Sequence, residues 1–402
     1  MNQRASLKEI LTKGLESHQV QIVQGCVGLG KTFFVNEWAR SFVQDNPLWA
    51  LNLLSIGTEP IKAQDIYDQA IRADSSGKRT LLIVDNIDRV DHFSALINSL
   101  NSLPNISCVG TSDVNIRVTE SQERTHFADR CIFLNFAPLS YNDYLSLLNR
   151  NDSQAKMVGD YLRDGGIPSV LLSDNRAAAI LEVRRRILHF VSERFHLSDY
   201  ALLAELFDSY CRFGGFPKNE FVIERPRSKN DHSYNTILKY TSALSACFAI
   251  SELTRVNADY FIALHNSPTY MPLDSCFNPV GLPPQLHILN SATVAIYNRL
   301  IADGCAVSVS VVNRQPRENG DRVYRQIETG FLVSKNSRTW FVTFAFDDGT
   351  RGRKAMEVLR NGFPKIIVVL PEVPMQMTSE GFLLVSLSTF LKDGLSIVKK
   401  MV

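Results

Sequence analysis

Along the first 140 residues, short apolar runs alternate with stretches in which apolar residues recur every three or four positions. The runs Val20–Val23, Ala50–Leu54, Leu81–Val84, Ile106–Gly110 and Cys131–Leu134 predict five strands, the first alternating through Val20 and Ile22. Helical periodicity falls near 31–42, 62–73 and 91–100. Met1 to Gly14 reads as a short amphipathic helix with Leu7, Ile10, Leu11 and Leu15 on one face. Strand and helix in alternation predict a layered α/β domain with a parallel sheet, whose ligands bind at the carboxyl ends of the strands.

Beyond Ser140 the pattern turns helical. Ser140 precedes Tyr144, Leu145, Leu147 and Leu148, with Asp143 three residues on, as an N-cap with an acid in the first turn requires. Gly165-Gly166-Ile167-Pro168 breaks the next helix, and 176–212 reads as one or two amphipathic helices. Thr236 to Ile250, with Ile237, Tyr240, Leu244 and Phe248 at helical spacing, suggests part of a small winged-helix-like unit. The proline-rich stretch 268–284 reads as a linker. From about 286 a helix (Leu289 to Ile301) leads to strands at Ala306–Val312, Phe331–Val333, Trp340–Phe346, Ile366–Leu370 and Leu383–Leu387. The expected division is therefore 1–150, 151–285 and 286–402.

One stretch of the first segment carries specific chemistry. Gly25-Cys26-Val27-Gly28-Leu29-Gly30-Lys31-Thr32 fits G-x-x-x-x-G-K-[ST] at every fixed position, and it lies between a predicted strand and a helix opening at Phe33. Such a loop turns successive N–H groups and a helix N-terminus toward phosphate oxygens. Lys31 would reach the β- and γ-phosphates and the Thr32 hydroxyl would ligate Mg²⁺. The sequence predicts a nucleoside triphosphate site.

Further candidates follow downstream. Leu81-Leu82-Ile83-Val84 runs into Asp85, a buried strand ending in a carboxylate suited to holding Mg²⁺ beside Thr32. Asn86 stands where a water-activating glutamate often sits; its amide can orient water but cannot take a proton, which predicts slow hydrolysis. Asp88 either substitutes as base or is a turn acid before the helix at 91–100. At the end of the fourth strand, Thr111 or Ser112 would touch the γ-phosphate or the water. Arg130, before the fifth strand, either stabilises charge during transfer or is a surface residue. Cys26 lies inside the loop, where burial or nucleotide would shield it from oxidation.

Composition narrows the classes without changing this picture. Of 402 residues, 45% are hydrophobic and 21% charged, an ordinary globular balance of more than one domain. Residues 1–172 carry 16 Lys/Arg against 19 Asp/Glu and the rest 27 against 22, too slight an asymmetry to mark a nucleic-acid-binding half. No run approaches the ~20 apolar residues of a membrane span. Seven dispersed cysteines without a C-x-x-C pair read as reduced core thiols of a cytoplasmic protein, and the eight histidines show no metal spacing.

The order of P-loop, Asp85, Gly110-Thr111-Ser112, Asp129-Arg130, Pro138-Leu139-Ser140 and Gly165-Gly166-Ile167-Pro168 resembles a prokaryotic family of AAA-like ATPases. That family is grouped with the STAND signal-transduction NTPases and carries a C-terminal restriction-endonuclease-like domain. The resemblance covers about residues 15–175. It implies an ASCE-type P-loop sheet, ATP and Mg²⁺ as cofactors, and a Gly-x-Pro turn (Gly166, Pro168) that approaches the nucleotide and couples it to a helical region; the other reading of that turn is a simple helix stop. In the C-terminal part, similar more weakly, Gly330 and Phe341 occupy the places of the expected nuclease ligands, which implies a nuclease fold without nuclease chemistry. Glu328 and Asp347 remain as stray ligands.

Three functional readings follow. The leading one is a Mg-ATP-driven switch that hydrolyses slowly and changes how the C-terminal half meets a protein partner or another copy of the chain. The second is an ATPase that binds or processes DNA through the basic loop (Arg314, Arg317, Arg322, Arg325) and the cluster Arg351, Arg353, Lys354. The third is a non-hydrolysing ATP-binding scaffold, favoured by Asn86.

Overall fold

The computed structural model describes residues 3–17, 19–57, 61–119, 130–148, 152–212, 234–278, 281–314, 317–318, 321–322 and 325–401. Asp129, and residues 315–316, 319–320 and 323–324 of the basic loop, lie outside them. The chain divides into two compact units. The first comprises Met1–Ala137, Arg185–His196 and Ser242–Ala249; the second comprises Pro138–Arg184, Leu197–Thr241 and Ile250–Val402. Both are discontinuous in sequence, in contrast to the three consecutive segments that the hydrophobic pattern suggests.

The first unit is built on five parallel strands: β1 (Val20–Gln24), β2 (Trp49–Ser55), β3 (Arg79–Asp85), β4 (Ile106–Ser112) and β5 (Cys131–Asn135). Their order across the sheet is β2-β3-β4-β1-β5. Helices α2 (Lys31–Asp45), α3 (Ala63–Asp74) and α4 (Phe93–Leu100) lie between successive strands from β1 to β4, and α1 (Gln3–Gly14) precedes the sheet. β3 and β4 are buried almost throughout, as parallel strands covered on both faces must be, which explains their continuous apolar runs. β1 departs from the alternation expected of it: all five residues are buried, Gln21 included. The Gln21 amide is accommodated because its Nε2 donates to the Leu11 carbonyl at 3.0 Å. On α1, Leu7 and Leu11 are buried, as is Leu15 just beyond it, while Ile10 is 45% exposed; the stripe is the narrow i, i+4, i+8 row rather than the wider face.

The second unit begins with helices α5 (Tyr141–Leu148) and α6 (Gln154–Asp164) and contains α8 (Tyr200–Arg212). Two helices pass from one unit's residues to the other's, α7 (Arg176–Arg194) and α9 (Tyr234–Ala246). Its sheet has eight strands: β6 (Ile250–Asn257), β7 (Ile262–Pro272), β8 (Ala306–Arg314), β9 (Arg325–Lys335), β10 (Arg338–Ala345), β11 (Lys365–Val369), β12 (Gln376–Met377) and β13 (Leu383–Ser386). The order is β12-β13-β11-β10-β9-β8-β6-β7, with parallel and antiparallel neighbours mixed. Period-two alternation sorts these strands onto two cores. Phe331, Val333, Val342, Ile366 and Val368 pack with α10 (Pro284–Ala302). Leu332, Phe341, Ile367 and Val369 face the other way, onto Met356 of α11 (Thr350–Glu357) and Leu359.

Two expectations change here. The hairpin after α9 forms the edge of this sheet, β6 pairing parallel with β8, rather than part of a separate winged-helix unit. The stretch read as a linker carries β7 as far as Pro272, with Thr269, Tyr270 and Met271 buried. Proline is tolerated there because it closes an edge strand.

Candidate nucleotide site

The parallel register brings the carboxyl ends of β1, β3 and β4 to one edge of the sheet: Gln24 pairs with Ser112 and Val84 with Gly110. The loop Gly25–Gly30 leaves this edge from β1. Gly28 and Gly30 both have φ of 85°, and Gly30 caps α2, so the loop takes turns that a residue with a Cβ adopts only with strain. Because α2 begins at Lys31, the N–H groups of its first turn, Phe33 included, have no carbonyl partner upstream within the helix. Phe33 is 75% exposed.

Lys31 is 5% exposed, and its ammonium donates to the Gly25 and Cys26 carbonyls, at 2.8 Å each. It also pairs with Asp113 Oδ1 at 2.5 Å. One oxygen of Asp85, Oδ1, accepts from two hydroxyls, Thr32 at 2.7 Å and Thr111 at 2.5 Å. The Thr111 oxygen in turn accepts the Asn86 N–H at 3.1 Å. Of the two hydroxyls at the end of β4, Thr111 joins the acid, while Ser112 closes its own loop by donating to the Val114 carbonyl at 2.8 Å. Thr32 and Asp85 together offer a hydroxyl and a carboxylate, the hard oxygen donors that Mg²⁺ takes, so the donor set fits that ion.

Asn86 is in the left-handed region, φ 58°, and its amide nitrogen donates to the Ile56 carbonyl at 2.9 Å. The side chain is thus part of the fold. Asp88 has a side chain 3% exposed, with Arg194 Nη2 at 3.7 Å from its carboxylate and 3.1 Å from its backbone carbonyl. Burial pushes the Asp88 carboxyl above its usual range; Arg194 opposes this and Asp113 adds to it. Burial also pushes the Cys26 thiol up to about 12, so the loop cysteine is held as an unreactive thiol.

The structure does not bring Arg130 to this edge. It precedes Cys131, which pairs with Val20 at the opposite end of β1, four residues or about 13 Å from Gln24. Its guanidinium donates to Asn98 instead. Gly166 and Pro168 belong to the second unit. The Gly166 N–H donates to Asp274 Oδ2 at 2.9 Å, and its carbonyl accepts from Leu139 at 2.7 Å. A Cβ at Gly166 would stand 2.3 Å from the Leu139 carbonyl oxygen, so the close approach that glycine permits here is to the Pro138–Ser140 segment. In the basic loop, Arg314 pairs with Asp259 at 2.9 Å and donates to the Val358 carbonyl at 2.5 Å.

Three residues escaped the sequence reading. Asp113 is one position beyond the hydroxyl pair, in a run whose length alone implied nothing about Lys31. Arg186 and Arg194 lie on α7, far along the chain; Arg186 stands 3.8 Å from where a Cβ would sit on Gly28. No local pattern marks them, because only the return of α7 to the first unit places them here.

A phosphate-binding loop on β1, an acid at the end of β3 and a hydroxyl on the intervening β4 define a P-loop nucleotide-binding unit. Residues 17–145, which include all five strands of this sheet, match the sequence model of a family described as AAA domain. No curated protein matches the chain in sequence. Among solved structures, the chain is similar to the ORC2 protein of Aeropyrum pernix in its ADPNP–ADP complexes, with 12% identity over 73% of this chain and 92% of that one, TM-score 0.41. It is similar also to Cdc6p of Pyrobaculum aerophilum, with 12% identity, 74% and 92% coverage and TM-score 0.33. PCH-2 of C. elegans is similar at 14% identity, 60% and 66% coverage and TM-score 0.27. No helix among the described residues is long and apolar enough to cross a membrane.

Proposed function

We propose that the first unit binds Mg-ATP at Gly25–Thr32 and hydrolyses it slowly, acting as a nucleotide-driven switch on the rest of the chain. The observation that carries this reading is the convergence of the Thr32 and Thr111 hydroxyls on one oxygen of Asp85, beside a buried Lys31. Thr32 and Asp85 would hold Mg²⁺, which when bound neutralises charge on the phosphate oxygens. Lys31 and the loop N–H groups would bind the β- and γ-phosphates, with Arg186 close above Gly28 as a further cation. Thr111 fixes the Asp85 carboxylate and the Asn86 backbone together.

Slow turnover is supported by Asn86, whose amide is bonded to Ile56 and cannot accept a proton. Asp88 has the carboxylate that Asn86 lacks and is the alternative base in this reading, though its side chain is buried beside Arg194. At Gly166 and Pro168 the N–H and carbonyl of Gly166 are both bonded within the second unit, which supports the reading of this turn as a helix stop. The succession α10, β8, β9, β10, α11, β11 supports the restriction-endonuclease-like reading of the second unit. Gly330 and Phe341 support its lack of nuclease chemistry: a Cβ at Gly330 would meet the Val342 carbonyl at 2.3 Å, and Phe341 is fully buried.

The test is Mg²⁺-dependent ATP turnover by the full chain, with Lys31→Ala as control and duplex DNA in parallel. Lys31→Ala should abolish nucleotide binding without unfolding the protein; wild-type affinity in that variant would overturn the site. Tight binding without turnover would favour the scaffold reading, which the bonded Asn86 amide also supports. Stimulation by DNA, with a steep loss of DNA affinity in salt, would favour the nucleic-acid reading.

A further inference from the structure

An ammonium has three N–H donors, and all three of Lys31 are in use: the Gly25 carbonyl, the Cys26 carbonyl and Asp113 Oδ1. The two carbonyls belong to the loop itself. Asp113 does not; it follows β4 and brings a full negative charge to the place where the ammonium would meet phosphate. The same ammonium cannot neutralise both.

We propose that Asp113 is a counter-ion that an incoming nucleotide must displace, so that phosphate binding and release of the segment after β4 are one event. This rests on the ATP-binding reading above. Once phosphate oxygens reach Lys31, the Asp113 carboxylate faces charge of its own sign, with the buried Asp88 as a second acid nearby, and is driven out of the site. The segment that carries Asp113 is bonded beyond itself. Ser112 is tied to Val114 through both the hydroxyl and the Val114 N–H, at 2.8 and 3.1 Å. The Asn115 N–H then donates to the Ala246 carbonyl at 2.7 Å. Ala246 lies in the last stretch of the first unit, Ser242–Ala249, and the next residue, Ile250, opens β6. Displacing Asp113 therefore pulls on the segment through which the chain leaves the nucleotide unit.

The experiment is a titration of the full chain with ATP in the presence of Mg²⁺, comparing wild type with Asp113→Asn and Asp113→Ser. Hydrogen exchange of residues 242–249 is followed with and without nucleotide. If the pair is closed nine-tenths of the time without nucleotide, removing it should tighten ATP binding about tenfold. Nucleotide should also change exchange at 242–249 in wild type, and the nucleotide-free variants should already show the changed pattern. A purely structural Asp113 would give the reverse, weaker binding in both variants. Unchanged or weaker affinity in both variants, with wild type binding ATP, overturns this proposal alone. A wild-type chain that binds no ATP overturns the nucleotide reading and this proposal with it.

Discussion

Thr111 holds the two halves of the acid edge together, and replacing it by valine tests that role at nearly constant shape. Its hydroxyl donates to the Asp85 carboxylate at 2.5 Å and accepts the Asn86 N–H at 3.1 Å, in a side chain 1% exposed. Valine removes a hydrogen bond to a charged group, worth about 1.5–3 kcal/mol, and leaves an N–H without its partner, at about 1–3 kcal/mol more. A loss of about 2.5–6 kcal/mol is expected in urea denaturation followed by the fluorescence of Trp38 and Trp49, both in the first unit. Because Thr111 touches the acid and not the loop, ATP affinity measured without Mg²⁺ should stay within about threefold, or ~0.6 kcal/mol. Turnover should fall by about 10–100-fold, as it does when a group that orients a metal ligand is lost. Thr111→Ser keeps both bonds and should recover most of the stability and rate. A valine variant as stable as wild type within ~0.5 kcal/mol, or a serine variant equally damaged, would refute this role of the Thr111 hydroxyl.

Asn86→Glu should not raise turnover: a carboxylate cannot donate to the Ile56 carbonyl, and the left-handed backbone at φ 58° favours asparagine. A faster enzyme, measured by phosphate release, would show that the missing base alone limits the reaction. Burial holds the Asp88 carboxyl above its unfolded value, so the stability linked to its proton is full below about pH 4 and is lost as pH rises through the folded value. Asp88→Asn lacks that loss, so its stability relative to wild type should climb between about pH 4 and neutrality in urea titrations. A difference that stays flat with pH would show that Arg194 fully compensates the burial.

What was legible in the sequence was local. The five strands of the first unit, the loop at Gly25–Thr32 and Asp85 follow from run length, alternation and fixed spacing. The Ser140 cap is readable too: its hydroxyl accepts the Asp143 N–H and the Asp143 carboxylate accepts the Ser140 N–H, a capping box at the start of α5. What escaped depends on distant packing. Gln21 passes for a surface position until α1 covers it. Arg130 adjoins a strand of the right sheet but at the wrong end, and only the register between β1 and β5 shows that. The partition of α7 and α9 has no signature in either helix, since amphipathic periodicity tells which face is buried and not what buries it.

That partition has a consequence for synthesis. Residues up to Ala137 supply all five strands of the nucleotide sheet, but Arg194, which lies against Asp88, and Ala246, which accepts from Asn115, belong to later segments of the same unit. At ~5–20 residues per second, the ribosome needs roughly 6–22 s beyond Ala137 to deliver Ala249. During that interval the emerging sheet carries a buried-type acid without its guanidinium and an amide without its carbonyl. The nucleotide unit is therefore completed only after much of the second unit's helical portion has been made.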